Sequence, residues 1–200
     1  MNKLLISMLL ALGISGYANA AGDAAAGQAK TAVCAACHNA DGNSVAPNFP
    51  KLAGQNEKYL LKQLKDIKSG ARPVLEMTGL LDNLSDQDMA DISAYFASKS
   101  VQIGHVPADM VDAGQKIYRA GIPEKGVAAC IACHGPEGNG IASAGYPALS
   151  GQHPSYVEKQ LKEFRTAKRN NDPNGMMRDI AAKMSDVEIN AISKFVQGLN

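Results

Sequence analysis

The 200-residue sequence has no tryptophan, and aromatic residues make up only 5% of it. A chain of this length forms one ordinary domain or two small ones, and small domains with few large side chains are short of material for a core. We therefore expect something other than side chains to fill part of the interior. An excess of charge is also absent, because 20 Lys and Arg residues face 19 Asp and Glu residues. This balance does not indicate a nucleic acid or an anionic membrane surface as a partner.

Long apolar runs are absent after residue 20, and the run at the N terminus is short. Lys3 precedes apolar residues 4–14, and the small residues Ala18 and Ala20 follow them. This order is typical of a secretory signal peptide cleaved after Ala20. A membrane anchor is the alternative, but about a dozen apolar residues are fewer than the roughly 20 that a spanning helix needs. The prediction is a signal peptide over residues 1–20 and export to a Gram-negative periplasm, with loose membrane association left open.

Cysteine is scarce, but its four residues all belong to one motif that occurs twice. Residues 33–43 read VCAACHNADGN, and residues 129–139 read ACIACHGPEGN. Two further pairs of segments recur in the same order: FPKLAGQ with YPALSGQ, and YLLKQLKDI with YVEKQLKEF. An order kept along the whole chain indicates an internal duplication. We therefore predict two domains, 21–108 and 109–200, which meet where the periodicity lapses near Pro107.

Each repeat has helical periodicity, and no segment alternates between apolar and polar residues as a half-buried strand would. Hydroxyl and carboxylate side chains predict several helix starts, because they can satisfy free backbone N–H groups. The predicted caps are Ser85 with Asp88, Ser155 with Glu158, Ser185 with Glu188, and the single residues Asp23 and Asp109. The last helices are expected to bury Met89, Ile92 and Tyr95 in the first repeat and Ile189, Ile192 and Phe195 in the second. The predicted fold class is all-α.

Three chemistries could explain two Cys-x-x-Cys pairs. A structural zinc site would take all four thiolates, yet a whole repeat unit separates the pairs, so a shared site would make the duplication unnecessary. A redox dithiol of the thioredoxin type needs a βαβ context, which this sequence lacks. The third chemistry explains the histidine, because Cys-x-x-Cys-His attaches haem c through two thioether bonds and places an imidazole against the iron.

Two such motifs predict two covalently bound haem c groups, which would also fill the sparse core. The predicted attachment residues are Cys34, Cys37, Cys130 and Cys133, and the predicted proximal ligands are His38 and His134.

The second axial ligand decides whether such an iron carries electrons or binds a substrate. A candidate must recur in both repeats, and His105 and His153 do not, so both are predicted to be surface histidines. Met77 and Met177 do recur, each eight residues before the Ser that begins the last helix. Packing is the ordinary role of a methionine, but a methionine that recurs at the matching position after both haem motifs favours ligation. Met176 is a rival to Met177 that has no methionine as its counterpart in the first repeat.

A methionine thioether is neutral and soft, so opposite histidine it favours Fe(II) and raises the reduction potential. The resulting closed iron would exchange one electron and leave no position for a small-molecule substrate. The remaining N–H of each histidine is expected to be held by a carbonyl near Pro50 or Pro147. Arg178 directly follows Met177 and could make the two potentials differ, although a solvated surface arginine is the equal alternative.

The same residues resemble a known family, the class I cytochromes c, duplicated as in the c4-type dihaem cytochromes. The resemblance covers essentially all of residues 21–200 and rests on the haem motifs together with segments such as APNFPKLAGQ and MMRDIAAKMS. It implies two tandem class I cytochrome c domains with their haem edges facing each other. It also implies a periplasmic one-electron carrier between a respiratory donor complex and a terminal oxidase or reductase.

Two other functions compete with that of a soluble carrier. A dihaem peroxidase-type enzyme would need an open iron, and the two recurring methionines argue against one. A cytochrome subunit of a larger oxidoreductase would use the same haem domains, so the sequence leaves this alternative open. We expect an electron-transfer protein and not an enzyme.

Overall fold

The computed structural model describes residues 21–200, and the expected signal peptide lies outside them. The first half contains helices α1 (Ala24–Gln28), α2 (Ala32–His38), α3 (Glu57–Lys68) and α4 (Asp86–Ala97), with a 3-10 turn at Leu75–Met77. The second half contains α5 (Ala108–Ala120), α6 (Ile131–His134), α7 (Pro154–Arg165), α8 (Met176–Ala182) and α9 (Asp186–Val196), with 3-10 turns at Pro123–Lys125, Ala142–Ala144 and Pro173–Gly175. Over this range, β pairing is limited to the isolated bridges Ile122 with Val127 and Ile141 with Tyr146. The all-α prediction is confirmed.

The two halves are built in the same way. In the first half α1 and α3 both pack against α4, and in the second half α5 and α7 both pack against α9. The first core is small and consists of Leu60, Ile92, Tyr95 and Phe96. The second is larger and is centred on the fully buried residues Tyr118, Ile189 and Val196. All six residues predicted to be buried in the last helices are buried.

A glycine allows the first and last helices of each half to approach closely. Gly27 in α1 and Gly114 in α5 occupy matching positions of the repeat. A Cβ atom on Gly27 would lie 2.0 Å from the carbonyl oxygen of Asp91, and one on Gly114 would lie 2.3 Å from Cβ of Phe195. A residue with a side chain would therefore force the helices apart.

Side-chain caps are present where the sequence predicts them for α1, α4 and α9. Asp23 accepts hydrogen bonds from the backbone of Ala25 and Ala26. Both last helices begin with complete capping boxes, which are Ser85 with Asp88 and Ser185 with Glu188.

The predicted caps of α5 and α7 are wrong. Helix α5 begins two residues earlier than a cap at Asp109 would place it, at Ala108 behind Pro107, so Asp109 lies inside its first turn. Helix α7 begins at Pro154, and Ser155 donates its hydroxyl to the Pro47 carbonyl of the other half at 2.7 Å. A contact between the halves has therefore replaced the local cap.

The two halves contact each other through α3 and the loops that flank the second haem motif. The side chain of Asn56 donates to the Tyr146 carbonyl at 2.6 Å, and Lys58 donates to the Ser143 carbonyl at 2.9 Å. The connecting segment 98–107 has no helix. Nowhere in residues 21–200 does a helix have both the length and the apolar character needed to cross a membrane.

Candidate cofactor site

A cavity of about 1590 Å³ is lined by residues of both halves. Every residue predicted to attach or ligate a haem lies on its wall, namely Cys34, Cys37, His38, Met77, Cys130, Cys133, His134 and Met177. The fold therefore brings the two predicted sets of four residues to one continuous space.

Both motif histidines are buried and have a defined orientation. His38 ends α2 and His134 ends α6, and each is 7% exposed. Nδ1 of His38 lies 2.8 Å from the Pro50 carbonyl oxygen, and Nδ1 of His134 lies 2.9 Å from that of Pro147. A carbonyl can only accept, so each Nδ1 carries the proton and Nε2 keeps its lone pair. The predicted carbonyl partners are confirmed.

The protonation state of these rings also suits a metal ligand. Burial lowers the pKa of His38 and of His134, and in both cases it outweighs the hydrogen bond to the proline carbonyl, which acts to raise the pKa. The neutral imidazole is therefore favoured, which is the form that binds a metal.

Cys34 and Cys130 lie four residues before the motif histidines, and Cys37 and Cys133 directly precede them. In the part of the chain that the structure describes, none of the four is in a disulfide. Cys34 and Cys130 each pack against the core of their own half. Burial raises the pKa of the Cys34 thiol and raises that of Cys130 to about 11, so these two sulfurs are not activated thiolates. A motif on the cavity wall whose first thiol is protonated fits attachment of an apolar group better than redox exchange.

The two predicted methionine ligands occupy similar places after the middle helix of each half. Met77 ends the 3-10 turn, and Met177 is the second residue of α8 and packs against the core of the second half. Its rival Met176 is 36% exposed, and its sulfur lies 3.9 Å from the Tyr146 hydroxyl. The local contacts therefore favour Met177 over Met176 as the residue directed to the interior.

Two buried arginines from opposite halves share acceptors on the cavity wall. Arg72 is 8% exposed and Arg169 is 7% exposed. Oε1 of Gln63 accepts from Arg72 at 3.0 Å and from Arg169 at 3.1 Å. Oε1 of Gln160 accepts from the same two residues at 2.8 and 2.7 Å. Over residues 21–200, neither guanidinium group forms an ion pair with a carboxylate.

Two buried like charges with no carboxylate in ion-pair contact are costly, so this wall is suited to an anionic group. Haem carries propionate carboxylates, which match the planar donor fork of a guanidinium. The two arginines on the wall therefore fit a bound haem, as the two histidines also do. Sequence reasoning missed both arginines. The available signal was the repeated KQLK, which contains Gln63 and Gln160, but their shared role appears only when the halves meet.

Two expectations about polar residues change. His153 is partly exposed and is not a free surface histidine, because its Nε2 donates to the Ser44 carbonyl of the other half at 2.9 Å. Arg178 is ion-paired with Asp172 at 2.8 Å, which offsets its charge and weakens the argument that it alone separates the two potentials. His105 is exposed, as predicted.

Comparison with known proteins identifies the family and the fold. The family model described as Cytochrome c matches residues 24–100 and 111–200. Cytochrome c4 of Pseudomonas aeruginosa is 61% identical over 100% of both chains. A thiosulfate dehydrogenase electron acceptor of Stutzerimonas stutzeri is 39% identical over 81% of this chain and 76% of that one. The crystal structure of reduced recombinant cytochrome c4 from Pseudomonas stutzeri has a TM-score of 0.88 at 53% identity, and the match covers 90% of this chain and 100% of that chain.

Proposed function

The chain belongs to the cytochrome c family, as a dihaem electron carrier of the cytochrome c4 type with two covalently bound haem c groups. From this premise we propose that each half holds its haem as a six-coordinate redox centre. The observation that carries this proposal is the repeated histidine, whose Nδ1 donates to a proline carbonyl and whose Nε2 is free. The haem supplies exchange of one electron between Fe(II) and Fe(III). The protein attaches, orients and encloses it.

The residue roles follow the two repeats. We assign thioether bonds to Cys34, Cys37, Cys130 and Cys133, proximal ligation to His38 and His134, and distal ligation to Met77 and Met177. A histidine opposite a thioether sulfur favours the reduced iron and gives a relatively high potential. Held in this way by histidine and methionine, the iron would offer no position to a small-molecule substrate.

We further propose that the two haem edges face each other across the contact between the halves. The support is the single cavity that both sets of ligands line, and the pair Arg72 and Arg169 on its wall. The arginines would neutralise propionate groups where the halves meet. Electrons could then pass from one haem to the other without leaving the protein interior.

The physiological role proposed for the chain is that of a periplasmic carrier between respiratory donors and terminal oxidases or reductases. Residues 1–20 would act as the signal peptide, and the domains would be 21–108 and 109–200. One relative is named as the electron acceptor of a thiosulfate dehydrogenase, which supports a redox enzyme as a donor. The polypeptide's formal net charge of +1 suits weak redox encounters through a small contact area better than strong electrostatic steering.

A haem count and a ligation spectrum test the proposal together. We expect a pyridine haemochrome assay to give two haems per chain, and the ferric protein to show the near-infrared band of an Fe–S(Met) bond. Met77→Ala and Met177→Ala should each remove about half of that band. Met176→Ala is the matched control and should leave it unchanged. A high-spin ferric spectrum with peroxide turnover in the unchanged protein would contradict the closed iron and favour an enzyme.

A further inference from the structure

Two glutamines at matching positions of the repeat reach across the contact between the halves. They are Gln55 in LAGQ and Gln152 in LSGQ, and each is 7% exposed. Each side chain binds the backbone of the opposite half at the residue that follows the proline beside the histidine. Neither glutamine is needed to attach the haem or to ligate its iron.

The first chain of hydrogen bonds runs from His38 to Gln152. Nδ1 of His38 donates to the Pro50 carbonyl at 2.8 Å. The N–H of that same peptide group belongs to Lys51 and donates to Oε1 of Gln152 at 2.9 Å. Nε2 of Gln152 donates back to the Lys51 carbonyl at 2.9 Å. A single peptide group is therefore held at its oxygen by the histidine and at its nitrogen by the other half of the protein.

The second chain repeats the first with the halves exchanged. Nδ1 of His134 donates to the Pro147 carbonyl at 2.9 Å. The N–H of Ala148 donates to Oε1 of Gln55 at 2.7 Å, and Nε2 of Gln55 donates to the Ala148 carbonyl at 2.9 Å. Both glutamines use the accepting and the donating atom of the amide at once, which an aliphatic or carboxylate side chain could not do.

Hydrogen bonds in such a chain polarise one another. When the Lys51 N–H donates to Gln152, the Pro50 carbonyl becomes a better acceptor for His38. A stronger bond from Nδ1 fixes the ring orientation and raises the basicity of the imidazole toward the metal. A more basic imidazole stabilises Fe(III) relative to Fe(II), so the hydrogen bond lowers the reduction potential.

We propose that Gln55 and Gln152 are crossed positioning residues, each of which sets the orientation and donor strength of the axial histidine in the opposite half. The inference rests on the histidine ligation proposed above. It makes the potential of each haem depend on the docking of the other half. The same glutamine could instead serve only to hold the halves together, and the two roles predict different effects on the haems.

Exchange of each glutamine for methionine separates these roles, because methionine keeps the volume and removes both hydrogen bonds. In the complete haem protein, Gln152→Met should raise the reduction potential of the haem at His38. At a fixed ambient potential, the ratio of Fe(II) to Fe(III) in that haem should rise about threefold, which corresponds to a shift of ~28 mV in its potential. The haem at His134 should not change. Gln55→Met should shift the haem at His134 in the same direction and leave the haem at His38 unchanged. Haem-methyl proton resonances follow each haem separately during the titration.

Ser155→Ala is the control, because it removes a hydrogen bond between the halves that lies outside both chains. It should shift neither potential. Equal shifts of both haems, a shift of the haem in the substituted half, or no shift at all would overturn the proposal.

A measurement on the unchanged protein covers the case in which the variants do not fold. The N–H groups of Lys51 and Ala148 should exchange with solvent as slowly as those of α4, and rapid exchange would overturn the relay. A missing near-infrared band in the unchanged protein would refute the proposed His/Met coordination and not the relay. Unshifted potentials with that band present would refute the relay alone.

Discussion

Replacing Gly114 with alanine should destabilise the second half, although alanine is ordinarily the better helix former. The new Cβ atom would lie 2.3 Å from Cβ of Phe195, 2.9 Å from its Cγ and 3.0 Å from the Ala191 carbonyl oxygen. No rotation of the Phe195 side chain can move its own Cβ atom. Helices α5 and α9 must therefore separate.

The size of the effect follows from two opposing contributions. Alanine gains roughly 1 kcal/mol over glycine within a helix. A close contact forced into a packed core costs up to about 3 kcal/mol. The net loss is then about 2 kcal/mol, and for a domain of this size it lowers the melting temperature by about 8–16 °C.

Thermal unfolding followed by circular dichroism in the far-ultraviolet and haem regions measures this change. Gly70→Ala is the control, because a Cβ atom added at this position would have no neighbour within 4 Å and only the positive φ of +80° opposes the substitution. Its cost should be about 1 kcal/mol. A Gly114→Ala protein as stable as the unchanged one, or more stable than Gly70→Ala, would refute the packing argument.

Three further predictions concern charge and hydrogen bonding. Hydrogen bonds from the backbone N–H of Asp23 and from the side chains of Lys30 and Gln87 hold the pKa of Asp91 at about 2 instead of 3.8. Because this folded pKa is depressed, the stability that Asp91 contributes above pH 3.8 should be lost as the pH falls toward 2. Asp91→Asn should flatten that loss in an acid titration of unfolding. Arg72→Gln and Arg169→Gln should lower the reduction potentials, because each removes a buried cation that disfavours Fe(III). The change in the free energy of reduction should be on the order of 1 kcal/mol. Arg→Lys variants that lowered the potentials equally would contradict this reason. Tyr118→Phe should cost about 1 kcal/mol in denaturant unfolding, because its hydroxyl donates to the Gly135 carbonyl at 2.6 Å, and no loss would show that this bond is dispensable.

Local sequence patterns predicted the helices and most of the candidate site. The capping boxes Ser85 with Asp88 and Ser185 with Glu188 were correct because a cap involves only neighbouring residues. The caps at Asp109 and Ser155 were wrong, because Pro107 begins α5 earlier and the other half takes the Ser155 hydroxyl. The carbonyl partners of the histidines were predictable because a proline recurs at nearly the same distance after each motif.

By itself, the sequence determined the all-α fold, the duplication and the two haem motifs, because each depends on spacing within one short segment or on comparison of the two repeats. The tertiary structure alone decided how Arg72 and Arg169 share Gln63 and Gln160, and which backbone groups Gln55 and Gln152 bind. These contacts join residues about 90 to 110 positions apart, and no local periodicity records them. They arise only when two equivalent surfaces dock, so that a glutamine in one repeat satisfies the backbone of the other.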